Sequence, residues 1–275
     1  MKVDLHTHTL ASDGKLTPTE LFKEAESVGL DMLSVTDHDT IDAYTELAQL
    51  KSNSLQLIPG IEFSTEWKKT GIHILGLNIQ LKSDAIISAI KSQENARFTR
   101  AQRIAEKLEK EGIKDTWEGV RKVAGNSVIG RPHFAQFLID SGVVKDMKQA
   151  FDKYLGAGKT GDVKQFWASY SQIIEWIRDA GGNAILAHPN KYKMTRTKLL
   201  SLLDDFQTAG GEGIEVISGN QTKDVTQKLT QICEQRNLLA SCGSDFHQPG
   251  QRWAELGKVA PLAKSCKAVW ENWNL

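Results

Sequence analysis

Short apolar strands alternate with helical segments along most of this 275-residue chain, and this alternation constrains its fold more than any other feature. One helix is predicted to begin at Thr17-Pro18-Thr19-Glu20, a capping box with proline in the first turn, and to end at Gly29. Strands separated by helices form parallel βαβ units, and six or seven such units around one site favour a barrel over an open sheet. The predicted strands cover residues 2–9, 32–38, 55–65, 72–79, 183–188, 213–218 and 238–244, and further helices cover 197–208 and 223–236.

A stretch without any strand signal interrupts the alternation between residues 84 and 165. Residues 94–165 contain fourteen Lys or Arg and ten Asp or Glu, so this segment is net positive in a chain whose net charge is +0. We therefore expect a barrel domain formed by residues 1–93 and 166–275, with an inserted helical subdomain at 94–165. The helices predicted in this stretch run from Asp84 to Glu111 and near 116–124, 132–141 and 146–155.

Three arginines recur at every third position of the long predicted helix, which places Arg97, Arg100 and Arg103 near one helix face. A charged stripe of this kind is commonly a solvated face. The functional alternative is a basic lid over an anionic substrate, and the sequence leaves both interpretations open.

The segment Gly130-Arg131-Pro132-His133 predicts another helix start, because proline is favoured in the first turn of a helix. Backbone N–H groups at a helix start favour an anion, and an adjacent arginine can hold a phosphate through two parallel hydrogen bonds. An ordinary capped helix with a surface arginine explains the same residues equally well.

Histidine occurs seven times, and six of these residues begin or end a predicted strand in the neighbourhood of carboxylates. His6 and His8 are two positions apart, so both side chains point to one face of the first strand. Sites in α/β folds form at the carboxyl ends of the strands, and unrelated structural histidines would not group there. The residues expected to meet are His6, His8, Asp13, His38, Glu62, His73, His188, Asp245 and His247.

This combination of side chains predicts a metal centre. Imidazole and carboxylate ligands without a thiolate motif suit Mn²⁺, Zn²⁺ or Fe²⁺. Nine ligands exceed what one ion, or even two, needs when some positions stay open for water, so two to three ions that share bridging carboxylates are expected.

The amino-acid composition excludes several classes of protein. Apolar residues make up 40% and charged residues 25% of the chain, which is typical of a globular protein. The sequence contains neither an apolar run of ~18 residues nor the basic charge excess of a duplex-binding protein. Cys233, Cys242 and Cys266 form no CxxC motif and cannot all pair. We expect a cytoplasmic protein that has no membrane association and no stable protein partner.

Taken together, these motifs resemble the PHP (polymerase and histidinol phosphatase) superfamily. That resemblance implies an α/β fold, a distorted (β/α)₇ PHP barrel, with a trinuclear metal site that holds three Mn²⁺ or, alternatively, Zn²⁺ or Fe²⁺. The residues that carry it are Asp4-Leu5-His6-Thr7-His8-Thr9, Ser12-Asp13-Gly14, Thr36-Asp37-His38, Glu62, His73, Ala187-His188-Pro189 and Gly243-Ser244-Asp245-Phe246-His247.

The resemblance also distributes the nine residues among the ions, and all nine positions of the family pattern are filled. It implies that the first ion is held by His6, His8, Glu62 and Asp245. The second is held by Glu62, His73 and His188, with Glu62 as the bridge. The third is held by Asp13, His38 and His247. The residues expected to take part in catalysis are Asp13, His38, His188 and Asp245.

Within the superfamily, the chain length, the insert and the Gly130–His133 segment look most like a bacterial branch of 3′,5′-nucleoside bisphosphate phosphatases and 5′→3′ exoribonucleases. This resemblance implies removal of the 3′-phosphate from pAp-type nucleotides. It also allows stepwise release of nucleotides from the 5′ end of short 5′-phosphorylated RNA. The insert would hold the 5′-phosphate through Arg131 and His133, with Arg97 and Arg100 as further candidates.

Two other functions remain in competition. A histidinol-phosphate phosphatase has the same metal site, but its substrate is cationic and is poorly matched to a net-positive insert. A non-catalytic metal-binding module, like the inactive PHP domains of some polymerases, would be expected to have lost ligands, and this chain keeps all nine.

Overall fold

The computed structural model describes residues 1–163 and 166–273 and shows a seven-stranded barrel surrounded by helices. The strands are β1 (Val3–Thr7), β2 (Met32–Val35), β3 (Gln56–Trp67), β4 (Thr70–Leu77), β5 (Asn183–Leu186), β6 (Gly213–Ser218) and β7 (Leu239–Gly243). The helices are α1 (Pro18–Ser27), α2 (Ala43–Leu47), α3 (Asp84–Lys110), α4 (Thr116–Ala124), α5 (Arg131–Asp140), α6 (Met147–Ala150), α7 (Tyr170–Asp179), α8 (Arg196–Thr208) and α9 (Lys223–Gln235). A π-helical turn at Phe151–Leu155 and 3₁₀ turns at Pro189–Tyr192 and Val269–Asn272 complete the described elements.

The strands pair in chain order from β1 to β7, and the barrel is nearly closed. The amide of His8 donates to the carbonyl of Phe246 (2.8 Å), and the amide of Asp245 donates to the carbonyl of His6 (2.8 Å). These contacts join the segment after β7 to β1, so residues from the two ends of the chain meet. The predicted α/β barrel is confirmed.

One strand departs from the predicted parallel arrangement. β4 runs antiparallel to both β3 and β5, whereas the other neighbouring pairs in the sheet are parallel. The prediction of parallel units throughout is therefore wrong at β4. Only Lys68 and Lys69 separate β3 from β4, and their φ angles of 46° and 66° give the left-handed turn that suits the twist of a two-residue hairpin.

The barrel core holds the site-bearing strands rigidly in place. Apolar side chains from the strands, among them Leu5, Ile61, Ile74 and Ile214, are fully buried and pack with the inner faces of α7, α8 and α9. A separate cluster fastens α1 and α2 to the outside of β2. The predicted capping box of α1 is present, with the Thr17 side chain accepting from the amide of Glu20 (3.2 Å).

The helical segment has its own hydrophobic cluster. Its buried members among the described residues all fall between Ala101 and Val163 and come mainly from α3, α4 and α5. Of the arginine stripe on α3, Arg97 and Arg100 are buried, whereas Arg103 is exposed and pairs with Glu106. The boundaries 94 and 165 remain a prediction, and residue 165 lies outside the described part of the chain. In that part, no helix combines the length and apolar character that a membrane span requires.

Candidate metal centre and substrate cavity

The nine residues predicted from the sequence lie together at one end of the barrel. His6, Glu62 and His73 lie within strands, and the other six lie in the loops that follow β1, β2, β5 and β7. Four overlapping groups have potential ligand atoms within 4.8 Å of one another: His8, Asp13, His38 and His247; His6, Glu62 and His188; His6, His8 and Asp245; and His38, Glu62 and His73.

Glu62 is the centre of this cluster. Its carboxylate is fully buried, and ring nitrogens of five histidines lie within 3.4 Å of its oxygens. Burial alone would raise the pKa of Glu62, but the charges of His73, His38 and His6 hold it well below its usual range. A carboxylate shared in this way can bridge two cations. The five neighbouring residues are His6 (3.3 Å), His8 (3.4 Å), His38 (2.8 Å), His73 (2.9 Å) and His188 (3.0 Å).

The donor set fits divalent cations. Among the described buried atoms without a hydrogen bond are Nε2 of His6, both ring nitrogens of His8 and Oε2 of Glu62. Nε2 of His6 and of His8 each lie 3.3 Å from Oδ1 of Asp245. An ion that holds nitrogen and oxygen ligands at about 2.1 Å separates neighbouring ligand atoms by about 3.0–3.4 Å. The spacing of Nε2 of His6 and Nε2 of His8 from Oδ1 of Asp245 is therefore that of a coordination sphere.

Burial and neighbouring charges shift the pKa values of the cluster histidines in opposite directions. Burial and the neighbouring charge of His247 lower the pKa of His8 to about 3. Burial also opposes the charged form of His247, but Asp13 and Asp245 outweigh it and raise its pKa to about 9. A neutral imidazole such as His8 is ready to bind a cation, whereas His247 must first lose a proton.

Glu215 is a cluster residue that the sequence interpretation missed. This fully buried β6 glutamate accepts from the amide of His188 (2.6 Å), and its two oxygens lie 3.1 and 3.2 Å from Nδ1 of His6. It thereby turns Nε2 of His6 towards Glu62 and Asp245. A carboxylate that holds a metal-binding histidine through its second nitrogen fixes the tautomer and orientation of the ring. The available signal was a single charged residue within the apolar strand Gly213–Ser218.

Asp37 is a second missed residue, and it anchors the loop that carries Asp13. Its carboxylate accepts from the backbone amide and the hydroxyl of Thr9 (2.7 and 2.6 Å) and from the hydroxyl of Ser12 (2.6 Å). These bonds tie the loop after β1 to the end of β2. The segment Thr36-Asp37-His38 contained the signal, but only a contact between two loops reveals the role of its aspartate.

A tight turn after β5 adds a cationic side chain to the cluster. The φ angles of His188 (28°) and Lys193 (51°) bend residues 188–193 back over the barrel. The hydroxyl of Tyr192 secures the turn, because it donates to the carbonyl of Ala187 (2.7 Å) and accepts from the amide of His73 (2.9 Å). Lys191 is consequently placed with its ammonium group against Oδ2 of Asp245.

A cavity of about 580 Å³ extends from the cluster towards the helical segment. Its volume lies within the ~300–1,000 Å³ usual for small-ligand sites. At one end it is lined by Asp13, His38, His73, His188 and Lys191, and at the other by Arg97, Arg100, Arg131, Phe151 and Trp167. The cavity therefore joins a candidate metal centre to a group of guanidinium and aromatic side chains.

Comparison with known proteins places this arrangement in a family. Residues 4–186 match the PHP domain. The chain belongs to the PHP family. It is 40% identical over 272 residues to the 3′,5′-nucleoside bisphosphate phosphatase of Chromobacterium violaceum, covering 98% of this chain and 95% of the relative. It is 43% identical over 272 residues to the 5′-3′ exoribonuclease of Haemophilus influenzae, covering 98% of both proteins.

Solved structures of related proteins agree with the PHP fold. An amidohydrolase from Chromobacterium violaceum, solved with bound sulfate and without metal, aligns with a TM-score of 0.89 at 39% identity and covers 98% of this chain and 95% of its own. A proposed metal-dependent phosphoesterase from Bifidobacterium adolescentis aligns with a TM-score of 0.78 at 26% identity, covering 97% of this chain and 92% of its own.

The arginines at the far end of the cavity differ in what their guanidinium groups contact. Arg100 donates from Nε to the carbonyl of Val163 (2.6 Å), and Arg131 donates from one terminal nitrogen to the carbonyl of Leu155 (3.3 Å). The remaining guanidinium nitrogens of both residues have no hydrogen-bond partner within residues 1–163 and 166–273. Burial, with the charges of Arg131 and Arg97, lowers the pKa of Arg100 to about 9. Arg100 is buried and Arg131 is partly buried, and the nearby carboxylate of Asp162 offsets part of their charge. Their unused N–H donors can still bind an anion.

Arg97 is instead bound into the protein. Its Nε donates to Oδ2 of Asp39 (2.7 Å), and its terminal nitrogens donate to the hydroxyl of Ser64 (3.0 Å) and the carbonyl of Ile129 (3.3 Å). Asp39 also accepts from the amide of Ser64 (2.8 Å) and the side chain of Gln93 (2.8 Å). Arg97 thus joins α3 to the barrel, and few of its donors are left for a substrate.

His133 also has a structural contact. Its Nδ1 accepts from the amide of Gly130 (2.9 Å) and so caps the start of α5. This bond occupies one of the amide groups that the sequence interpretation offered to an anion. Arg131 and Pro132, by contrast, line the cavity. A substrate-binding role for His133 remains a prediction.

Proposed function

We propose that this PHP protein is a metal-dependent phosphoesterase that removes the 3′-phosphate from 3′,5′-nucleoside bisphosphates and releases nucleotides from the 5′ end of short 5′-phosphorylated RNA. The observation that carries the proposal is the single cavity with a nine-residue cluster at one end and the unused donors of Arg100 and Arg131 at the other. A nucleotide with phosphates on both sides of its ribose matches these two ends. The bisphosphate phosphatase and exoribonuclease relatives support this substrate class.

The cluster would hold three divalent cations, and we favour Mn²⁺ over Zn²⁺ or Fe²⁺. Glu62 supports this proposal because its carboxylate faces histidines of several groups. The first ion would contact His6, His8, Glu62 and Asp245, the second Glu62, His73 and His188, and the third Asp13, His38 and His247. Bound metal supplies Lewis-acid charge and an ionised water near neutral pH.

The chain's own residues would bind and orient the substrate. Arg100 and Arg131 hold the 5′-phosphate, and Trp167 and Phe151, which contact these arginines at the same end of the cavity, offer apolar surface to the nucleoside. Anchoring one phosphate fixes the distance to the other, so only a nucleotide of the right length places its 3′-phosphorus at the cluster. This arrangement explains why a 5′-monophosphate alone would be a product and not a substrate.

The competing functions fit this cavity less well. A histidinol-phosphate phosphatase would place a cationic amine near Arg100 and Arg131, where like charges repel. A non-catalytic module has no use for buried, unpaired ligand atoms arranged at coordination distances. We further propose that residues 94–165 form a substrate-binding subdomain and that the protein acts in the cytoplasm, in line with its three free cysteines.

The test measures inorganic phosphate released from pAp and AMP and mononucleotides released from a 5′-phosphorylated RNA trinucleotide, each with Mn²⁺ and with a chelator. We expect Mn²⁺-dependent conversion of pAp to AMP, no hydrolysis of AMP, and release of mononucleotides from the trinucleotide. Inactivity on pAp and RNA by protein with bound metal would refute the proposal. Hydrolysis of histidinol phosphate by that protein would then identify the second candidate.

A further inference from the structure

Lys191 is a cavity residue that the metal cluster and the 5′-phosphate site leave without a role. Its side chain is about half exposed, with a relative accessibility of 47%, and it lines the cavity at the cluster end. The locked turn at residues 188–193 presents it there, with Tyr192 fastened to β4 and to the carbonyl of Ala187. The fold therefore sets the backbone position of Lys191.

The two carboxylate oxygens of Asp245 face different partners. Oδ1 lies 3.3 Å from Nε2 of His6 and 3.3 Å from Nε2 of His8, on the metal side of the cluster. Oδ2 is contacted by the ammonium group of Lys191. The lysine therefore adds positive charge next to the cluster without taking a ligand atom from the histidines. Because an ammonium carries three donors, Lys191 can contact Asp245 and still offer N–H groups to the cavity.

The two proposed substrates differ in the charge of the phosphate that is hydrolysed. A terminal phosphate carries about −1.5 to −2 charges at neutral pH, whereas the phosphate between two nucleotides carries only one. A fixed cation at the reacting phosphate consequently favours the terminal group. Proteins similar to this chain are named for each of the two activities, so a residue that sets the balance between them has a clear functional meaning.

We propose that Lys191 contacts the scissile phosphate and is a specificity-determining residue that favours terminal 3′-phosphates over internucleotide phosphodiesters. This inference rests on the proposed phosphoesterase function. It assigns to Lys191 a contact with the non-bridging phosphate oxygens at the cluster end of the cavity. Hydrolysis of pAp consumes one water, breaks the bond between phosphorus and the ribose 3′-oxygen, and yields AMP and inorganic phosphate. Hydrolysis of pApA consumes one water and breaks the same bond, and the phosphate stays on the 5′-oxygen of the second nucleoside, so both products are AMP.

The experiment compares kcat/KM for pAp and for the dinucleotide pApA in the Mn²⁺-loaded wild-type protein and in Lys191→Gln. A hydrogen bond to a charged group is worth about a factor of ten or more in affinity. We expect Lys191→Gln to lose roughly tenfold more activity on pAp than on pApA, and Lys191→Arg, which keeps the charge, to retain the wild-type preference. Lys193→Gln is the matched control, because this exposed lysine belongs to the same turn, and it should leave both activities unchanged.

Two further measurements separate specificity from damage to the cluster. Metal content after gel filtration shows whether Lys191→Gln still binds Mn²⁺, and calorimetric titration with inorganic phosphate measures the contact without turnover. We expect an unchanged metal content and phosphate binding weakened by roughly tenfold. Equal losses on pAp and pApA, or phosphate affinity equal to that of the wild type, would overturn the inference. A wild-type protein that cleaves neither substrate would refute the proposed function instead, so the two failures are distinguishable.

Discussion

Glu215 offers the sharpest test of the candidate metal centre, because it acts on His6 without lining the cavity. In Glu215→Gln the side chain keeps its size but replaces one carboxylate oxygen by an amide group. Both oxygens of Glu215 lie near Nδ1 of His6, at 3.1 and 3.2 Å, and Oε2 also accepts from the amide of His188 at 2.6 Å. If the glutamine oxygen keeps the His188 bond, its NH₂ group faces the N–H of His6, and two donors oppose each other.

These contacts determine how much Glu215→Gln should weaken Mn²⁺ binding. The variant loses one charge-assisted hydrogen bond, which is worth about 1.5–3 kcal/mol. It also frees the His6 ring to rotate, and mutation of such a supporting residue commonly lowers metal affinity by about 10–100-fold. The two figures agree, since 1.4 kcal/mol corresponds to about tenfold in an equilibrium constant. We therefore expect Mn²⁺ to bind about 10–100-fold more weakly to Glu215→Gln than to the wild type.

Calorimetric titration of the chelator-treated protein with Mn²⁺ measures this affinity directly. Glu212→Gln is the matched control, since Glu212 lies just before β6 and accepts from Asn183 (3.1 Å) and Ala184 (3.2 Å), which are not cluster residues. Its Mn²⁺ affinity should equal that of the wild type. Wild-type affinity in a folded Glu215→Gln would refute the argument that this carboxylate orients His6 for a cation.

Three further predictions concern the cavity, the barrel–insert contact and pH. Arg131→Ala should raise KM for pAp with little change in kcat, and a lower kcat at unchanged KM in steady-state assays would contradict a role in 5′-phosphate binding. Asp39→Asn leaves the buried guanidinium of Arg97 without its counter-charge and should lower the free energy of unfolding by about 3–5 kcal/mol. Urea denaturation measures this change, and a loss below about 1 kcal/mol, typical of a surface pair, would contradict the prediction. In the metal-free protein, stability from His247, whose pKa is raised to about 9, is lost as pH rises from about 6.5 to 9. Because the pKa of His8 is lowered to about 3, stability also falls as pH decreases below about 6.5, so thermal denaturation should show a maximum near neutral pH. A melting temperature that rises steadily from pH 6 to 9 would show that this sign is wrong.

Local patterns in the sequence predicted the alternation of strands and helices and the residues of the cluster, and the resemblance to the PHP superfamily implied the distorted barrel. Strands and helices alternate because each strand is buried between its neighbours and a covering helix. Histidines at strand ends are seldom needed for packing, so their grouping indicated a site. The direction of β4 was missed because hydrophobic periodicity carries no information on strand direction. The predicted strands 55–65 and 72–79 carried that information, because the six residues between them are too few for a crossover helix. In the structure the link is only Lys68 and Lys69.

The remaining parts of the site depend on contacts between distant segments. Glu215 is 209 positions from His6, and the Arg97–Asp39 pair spans 58 positions. No local pattern distinguishes Arg97, which is bound by Asp39, from Arg100, which keeps free donors. Both appear in the sequence as members of one basic stripe, and only the packing of α3 against the barrel separates their roles.

The two ends of the cavity are formed by different parts of the chain, and this difference affects which substrate a PHP protein binds. The cluster end depends on β1 meeting the segment after β7, a contact that barrel closure itself provides. The arginine end depends on the helical segment, which has its own hydrophobic cluster. It is joined to the barrel by the first half of α3, whose Ile86 and Ala89 belong to the barrel core, and by polar contacts such as Arg97 with Asp39. Substitutions in the helical segment can therefore change which anion is held without disturbing the ligands. Lys191 is the exception, because it belongs to the barrel and yet lines the cavity. In our proposal it would link the choice of phosphate to the cluster through its contact with Asp245.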